Sequence, residues 1–359
     1  MWYVGLDVHS RESSYCVLDQ GGHGVQERAI KGPVSKVLAE LAKIKEPFAI
    51  VYEASCNYGY LFDELSKLAR RVVVAHPGLL RLIFRSKRKN DRIDAYKLAK
   101  MLALDAVPTV HVPSRKVRAW RGLIEHRARQ VGERVRIKNG LRALVRGRGI
   151  EAPKSLWSRA GLAWLRALGL EEPLDAVRRD DLVSRLELVN AAIRRVESVL
   201  NEMGRNHPGV VLLMTIPGVG LRTAEALVAY IDQPERFAHT KAIGSYFGLV
   251  PCQDASAGKN HFGHITHDGP PTVRRLLTQA AWQGIRRSAR IRAYFEQVRH
   301  EDPDRRKIAI VATMHYLARL SLAMLRTGEV WRAEEPESRA GAEAPEQNEN
   351  PGTLLPPVA

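Results

Sequence analysis

Two aspartates three residues apart open the stretch KRKNDRIDAYKLAKMLAL at positions 87–104. Asp91 and Asp94 stand at the start of a helical pattern whose apolar stripe is Ile93, Leu98, Met101 and Leu102. Side chains at i and i+3 leave a helix from one face, and two carboxylates held that close repel unless a cation lies between them. Asp7 and Glu53 are two further acids, each closing an apolar run, WYVGLDVH at 2–9 and FAIVYE at 48–53. Buried carboxylates are costly unless paired or bound to metal. Taken singly, each is also explained as a helix cap or a strand-end residue in water. Taken together, four acids from two strands and a helix can meet at one sheet edge. Four oxygen ligands suit one or two Mg²⁺ ions, which polarise a phosphodiester and steady its attacking and leaving oxygens.

The elements that must position them read as follows. The runs at 2–9, 12–20 and 25–31 are three strands joined by short turns, the second turn being Gly21-Gly22-His23-Gly24. Residues 34–45 follow as helix, 48–53 as strand, 58–70 as helix and 72–76 as a short apolar strand stopped by Pro77. Antiparallel strands followed by alternating helix and strand predict a mixed sheet with helices packed on it.

The stretch 115–148 carries 12 Lys or Arg against two acids, Glu125 and Glu133, on a helical repeat with one apolar seam. Such a face repels itself unless a polyanion neutralises it, so nucleic-acid binding is expected. Helices at 155–170 and 180–203 follow, the second as the returning arm of a hairpin or coiled coil, within one chain or between two. Ile216-Pro217-Gly218-Val219-Gly220 matches a helix-hairpin-helix signature, in which glycines let backbone approach a phosphate. A glycine-rich turn between two core helices is the plainer reading. His261, His264 and His267 lie close in sequence, without the Cys or acid partners of a metal motif.

Composition bounds the partners. The chain has 359 residues, 45% of them hydrophobic, and a formal charge of +17. Its last 27 residues hold six Glu and one Arg, so residues 1–332 carry +22. This tail, rich in Glu, Pro and Ala, reads as disordered. Three scattered cysteines, Cys16, Cys56 and Cys252, argue against a disulfide framework and fit a reducing cytoplasm. No signal peptide and no membrane span are expected.

GLDVHS, YEASCNYGY and NDRIDAYKLA resemble the three acidic motifs of the DEDD transposases of the insertion-sequence-110 family. The resemblance implies a RuvC-like, RNase H-like N-terminal domain with Asp7, Glu53, Asp91 and Asp94 as catalytic metal ligands for Mg²⁺, or Mn²⁺ in its place. It extends to Gly248-Leu249-Val250-Pro251 and a following loop, where Ser256 stands at the family's nucleophilic serine. Ala255, Ala257 and Ile265-Thr266-His267 depart from the family pattern. The fold class is therefore α/β plus α. It comprises an RNase H-like domain at 1–112, a basic helical or coiled-coil region at 113–205, a mostly helical C-terminal transposase domain with a helix-hairpin-helix at 206–332, and an acidic tail at 333–359. The implied function is an insertion-sequence transposase or recombinase with a Mg²⁺-assisted serine nucleophile. Its implied partners are the DNA of element ends and target, a structured guide RNA, and further copies of itself as dimer or tetramer. It would work in the cytoplasm at the nucleoid. The alternatives are a RuvC-like structure-specific endonuclease, which needs the acids but not Ser256, and a non-catalytic nucleic-acid-binding remnant.

Overall fold

The computed structural model describes residues 1–55, 57–83, 91–256 and 259–332, with 91, 92, 254–256 and 259–261 described by their backbone alone. Cys56, the basic residues Lys87, Arg88 and Lys89, Ala257 and the acidic tail lie outside the described residues. The chain forms two compact units, residues 1–122 and 123–359.

In the first unit, strands β1 (Trp2–Val8), β2 (Glu12–Leu18) and β3 (Gly24–Lys31) form an antiparallel meander. After helix α1 (Val34–Leu41), strand β4 (Phe48–Glu53) pairs in parallel with β1. Helix α2 (Tyr58–Leu65) leads to β5 (Arg71–Ala75), parallel to β4. Helices α3 (Pro77–Ile83) and α4 (Asp91–Ala103) complete the set. The sheet order is β3-β2-β1-β4-β5, a mixed sheet consistent with the expected RNase H-like domain. Period-two alternation divides β1 and β4 between two cores. Val4, Leu6, Ile50 and Tyr52 pack with Val37, Leu41, Leu61 and Leu65 of α1 and α2. Ala49 and Val51 pack with Leu98, Met101 and Leu102 of α4. With both faces covered, β1 and β4 are apolar up to their closing acids, Asp7 and Glu53.

The second unit begins within α5 (Arg115–Gly147), followed by α6 (Arg159–Ala167) and α7 (Pro173–Arg205). Helices α5 and α7 run antiparallel in one chain. Arg127 bonds Glu197 at 2.6 Å, Leu182 packs over Gly140, and Arg148 pairs with Asp175. Helix α7 begins seven residues before the expected start, because Pro173 opens a first turn as N1 proline does. Conversely, α6 is shorter than expected: Ser158 caps it, its side chain accepting from the Gly161 N–H at 3.1 Å.

The rest of the unit holds α8 (Pro208–Leu213), α9 (Leu221–Ile231), α10 (Ala242–Tyr246), a hairpin of β6 (Pro251–Ser256) and β7 (Lys259–Ile265), α11 (Pro271–Arg287), α12 (Ala289–Arg299) and α13 (Arg306–Thr327). The hairpin stands where a loop was expected. Ser288 separates α11 from α12, its hydroxyl capping the second by accepting from the Ile291 N–H. Helix α13 is long and apolar enough, by length and composition, to cross a membrane, yet half of that stretch is buried within the unit. Ile310, Met314, Leu317 and Leu322 are among its buried residues, so it serves as a core helix.

Candidate active site

The first unit brings the acidic residues toward one edge. Asp7 and Glu53 close neighbouring parallel strands. The β1–β4 register advances in step to Leu6 opposite Tyr52, so Asp7 and Glu53 occupy the next level. Both follow the alternation of Tyr3, Gly5, Ala49 and Val51, which places them on the sheet face covered by α4.

The direction of α4 decides where Asp91 and Asp94 fall. Just past the helix C-terminus, Asp105 accepts a 2.6 Å bond from Arg71, the first residue of β5. The end of α4 therefore lies over the start of the parallel strands, and its N-terminus over their carboxyl ends. Asp91 and Asp94 occupy that N-terminal turn, at the edge where Asp7 and Glu53 lie.

Glycine allows this approach. A Cβ on Gly5 would sit 2.0 Å from the Ala95 carbonyl oxygen and 2.4 Å from the Ala99 nitrogen. Helix backbone thus lies directly on strand backbone, with small residues on the helix side. Asp94 immediately precedes that contact.

Local partners shape the acids. Asp7 is only 15% exposed, and His9 Nε2 lies 3.2 Å from its Oδ2, placed to donate to it. Lys97 Nζ lies 3.4 Å from Asp94 Oδ1, one helical turn on. Glu53 is exposed at the strand end. His9 and Lys97 were missed as site neighbours in the sequence. The signal was present in the i+2 and i+3 spacing from each acid.

The four candidate acids are all oxygen donors, the chemistry that suits a hard divalent cation. Among the described residues no three His, Cys, Asp or Glu side chains form a metal-binding group. The Asp91 side chain falls outside that set. His264 and His267 likewise belong to no such group, and the His261 side chain is not among those described.

Ser256 belongs to the second unit and ends β6, its backbone paired with Lys259 of β7. The glycine turn before α9 serves a different purpose from the one expected. Gly218 has φ +92°, and a Cβ there would meet the Gly284 nitrogen at 2.4 Å and the Ala280 oxygen at 2.5 Å. Its close approach is therefore to α11 of the same chain, which leaves no room for a phosphate at that glycine. Gly220, at the N-cap of α9, faces open space.

Comparison with known proteins gives two family matches. Residues 4–148 match a DEDD transposase model of IS110 type, and residues 210–296 match the model described as transposase IS116/IS110/IS902 family. The chain is 26% identical to the transposase for insertion sequence element IS1328 of Yersinia enterocolitica, over 77% of this chain and 82% of the relative. It is 23% identical to the transposase for element IS1111A of Coxiella burnetii, over 77% and 76%. The transposase for element IS1533 of Leptospira borgpetersenii is 22% identical, over 78% and 84%.

Proposed function

The chain belongs to the IS116/IS110/IS902 transposase family, enzymes that cut and rejoin DNA, and from that premise we propose that its strand transfer runs on four carboxylates and one serine. Asp7, Glu53, Asp91 and Asp94 are the acids that would hold a divalent ion. A Mg²⁺ or Mn²⁺ ion held by them would supply Lewis-acid polarisation of a phosphodiester and charge stabilisation of its attacking and leaving oxygens. His9 keeps the Asp7 carboxylate oriented, and Lys97 offsets the like charges at the start of α4. Ser256 supplies the nucleophile. Its Oγ bonds to phosphorus, its proton passes to water, and one deoxyribose oxygen leaves and takes up a proton. The product is a serine–DNA ester that a second DNA hydroxyl resolves, which rejoins the strands. The acids belong to the first unit and Ser256 to the second. A structured RNA encoded by the element guides the choice of DNA, and the exposed cations of α5 carry its backbone.

The observation that supports this reading is the arrival of two strand ends and the α4 N-terminus, each bearing acids, at one sheet edge. A plasmid carrying the element's flanks tests it, with and without the adjacent non-coding segment. Recombination is expected only in the arm that carries the segment. Asp7→Asn and Asp94→Asn should each lower it by about a thousandfold or more while melting stays near that of the parent. Ser256→Ala should abolish covalent capture of DNA. A Ser256→Ala chain that still cleaves points to the structure-specific nuclease, and a folded parent inactive in both arms sinks the transposase mechanism.

A further inference from the structure

The second unit contains an open groove of about 600 Å³ between α5 and the start of α11. Three exposed arginines line it, Arg129 and Arg136 from α5 and Arg275 from α11. Arg127 of α5 is neutralised within the chain by Glu197, and Arg148, just past the end of α5, by Asp175. Among the described residues, Arg129, Arg136 and Arg275 have no ion-pair partner.

One acid lies in the groove, and its oxygens are already engaged. Glu125 accepts from the Tyr230 hydroxyl at 2.7 Å through one oxygen and from the Thr272 hydroxyl at 2.7 Å through the other. These bonds tie the first turn of α11 to α5, so the groove walls are held in place. The N-terminus of a 17-residue helix adds partial positive charge on the same side.

The floor is Gly132. It lies three residues after Arg129 and four before Arg136, on their helix face. Glycine is the weakest helix former after proline. Here a Cβ would meet nothing within 4 Å, so no packing inside the chain requires glycine. The open saddle lies between two unpaired guanidinium groups. Seven residues at 1.5 Å rise separate those groups by about 10.5 Å along the helix. Along a duplex axis, where each strand carries one phosphate per about 3.4 Å, that span covers roughly three phosphates.

We propose that this groove seats the sugar–phosphate backbone of one strand of a nucleic-acid duplex, with Arg129, Arg136 and Arg275 on its phosphates and Gly132 as the saddle beneath it. The assignment rests on the nucleic-acid function above and names a surface for it. Planar guanidinium forks match phosphate oxygens in pairs.

The test is fluorescence anisotropy of the full chain carrying Asp7→Asn, titrated onto labelled duplex DNA and onto duplex RNA of the same sequence at several salt concentrations. The groove triple Arg129→Gln/Arg136→Gln/Arg275→Gln should raise Kd by roughly tenfold or more and flatten the log Kd against log salt slope on DNA by about 2–3. The same charge removed from the exposed face of α7, as Arg178→Gln/Arg194→Gln/Arg195→Gln, should change Kd by less than about threefold. Gly132→Ala should bind more weakly than the parent yet melt about 2–4 °C higher, which a purely structural glycine would not do. A loss confined to one duplex supports the groove and identifies its strand. A groove triple no worse than the α7 triple overturns the groove while leaving duplex binding intact. A parent chain with no salt-sensitive duplex binding overturns both the groove and the functional reading beneath it.

Discussion

Glu225 is a fully buried carboxylate on α9, 2.7 Å from Arg222. Burial raises its carboxyl to about 7, against the pull of Arg222 and Arg127. The Arg222 guanidinium is also pulled down, again mainly by burial, although Glu225 and Glu197 favour its charge. Each partner loses more by leaving water than it gains from the other, the usual balance of a buried ion pair. A carboxyl raised in the folded state contributes stability that is full below its ordinary value of 4.5 and is lost as pH climbs through about 7. Urea unfolding followed by tryptophan fluorescence should therefore show the parent losing stability between pH 5 and pH 8. Glu225→Gln should flatten that slope, and an identical slope in both chains would remove Glu225 as its cause. Nothing in the local sequence LRTAEALVAYI marks this acid as buried. Its burial follows from α7 and α8 closing over α9, with Glu225 Oε1 occupying the space above Gly204.

The β1–α4 contact is the element on which the acidic edge depends. Gly5→Ala would drive a Cβ into the Ala95 carbonyl and force strand and helix apart. The expected cost is about 3 kcal/mol, with recombination lost because the α4 N-terminus moves away from Asp7. Gly24→Ala in β3, where a Cβ meets nothing within 4 Å, is the matched control and should be nearly silent in both melting and recombination. The strands here were legible from alternation and from continuous apolar runs, and α4 from its 3.6-residue stripe. The β6–β7 hairpin was not. Its sequence, PCQDASAGKNHFGHI, lacks regular apolar alternation, and its pairing comes from backbone hydrogen bonds that side-chain pattern does not encode. The role of Gly218 stayed open in the sequence for a related reason. A glycine that allows close approach does not say what approaches, and here it is α11.

The whole chain carries +17, unevenly distributed, because residues 333–359 hold −5 and the remainder +22. Removing those residues raises the charge facing a polyanion. Binding to duplex DNA of random sequence should tighten several-fold at low salt, with the gain shrinking toward zero as the Debye length falls to about 3 Å near 1 M. Anisotropy titrations of full-length and truncated chains would check this, and equal affinities at low salt would show that the tail does not offset the basic surface.

Sequence by itself determined the acids and their spacing, the mixed sheet and long helices, the basic character of α5 and the resemblance to one transposase family. Each of these depends on residue type and local periodicity, which the order of residues carries directly. Tertiary structure decided which way α4 runs, and so which strand ends its acids meet. It also decided which arginines are neutralised by α7 and which remain open beside α11. Those are pairings between segments tens to more than a hundred residues apart, and they are selected by backbone fit and desolvation.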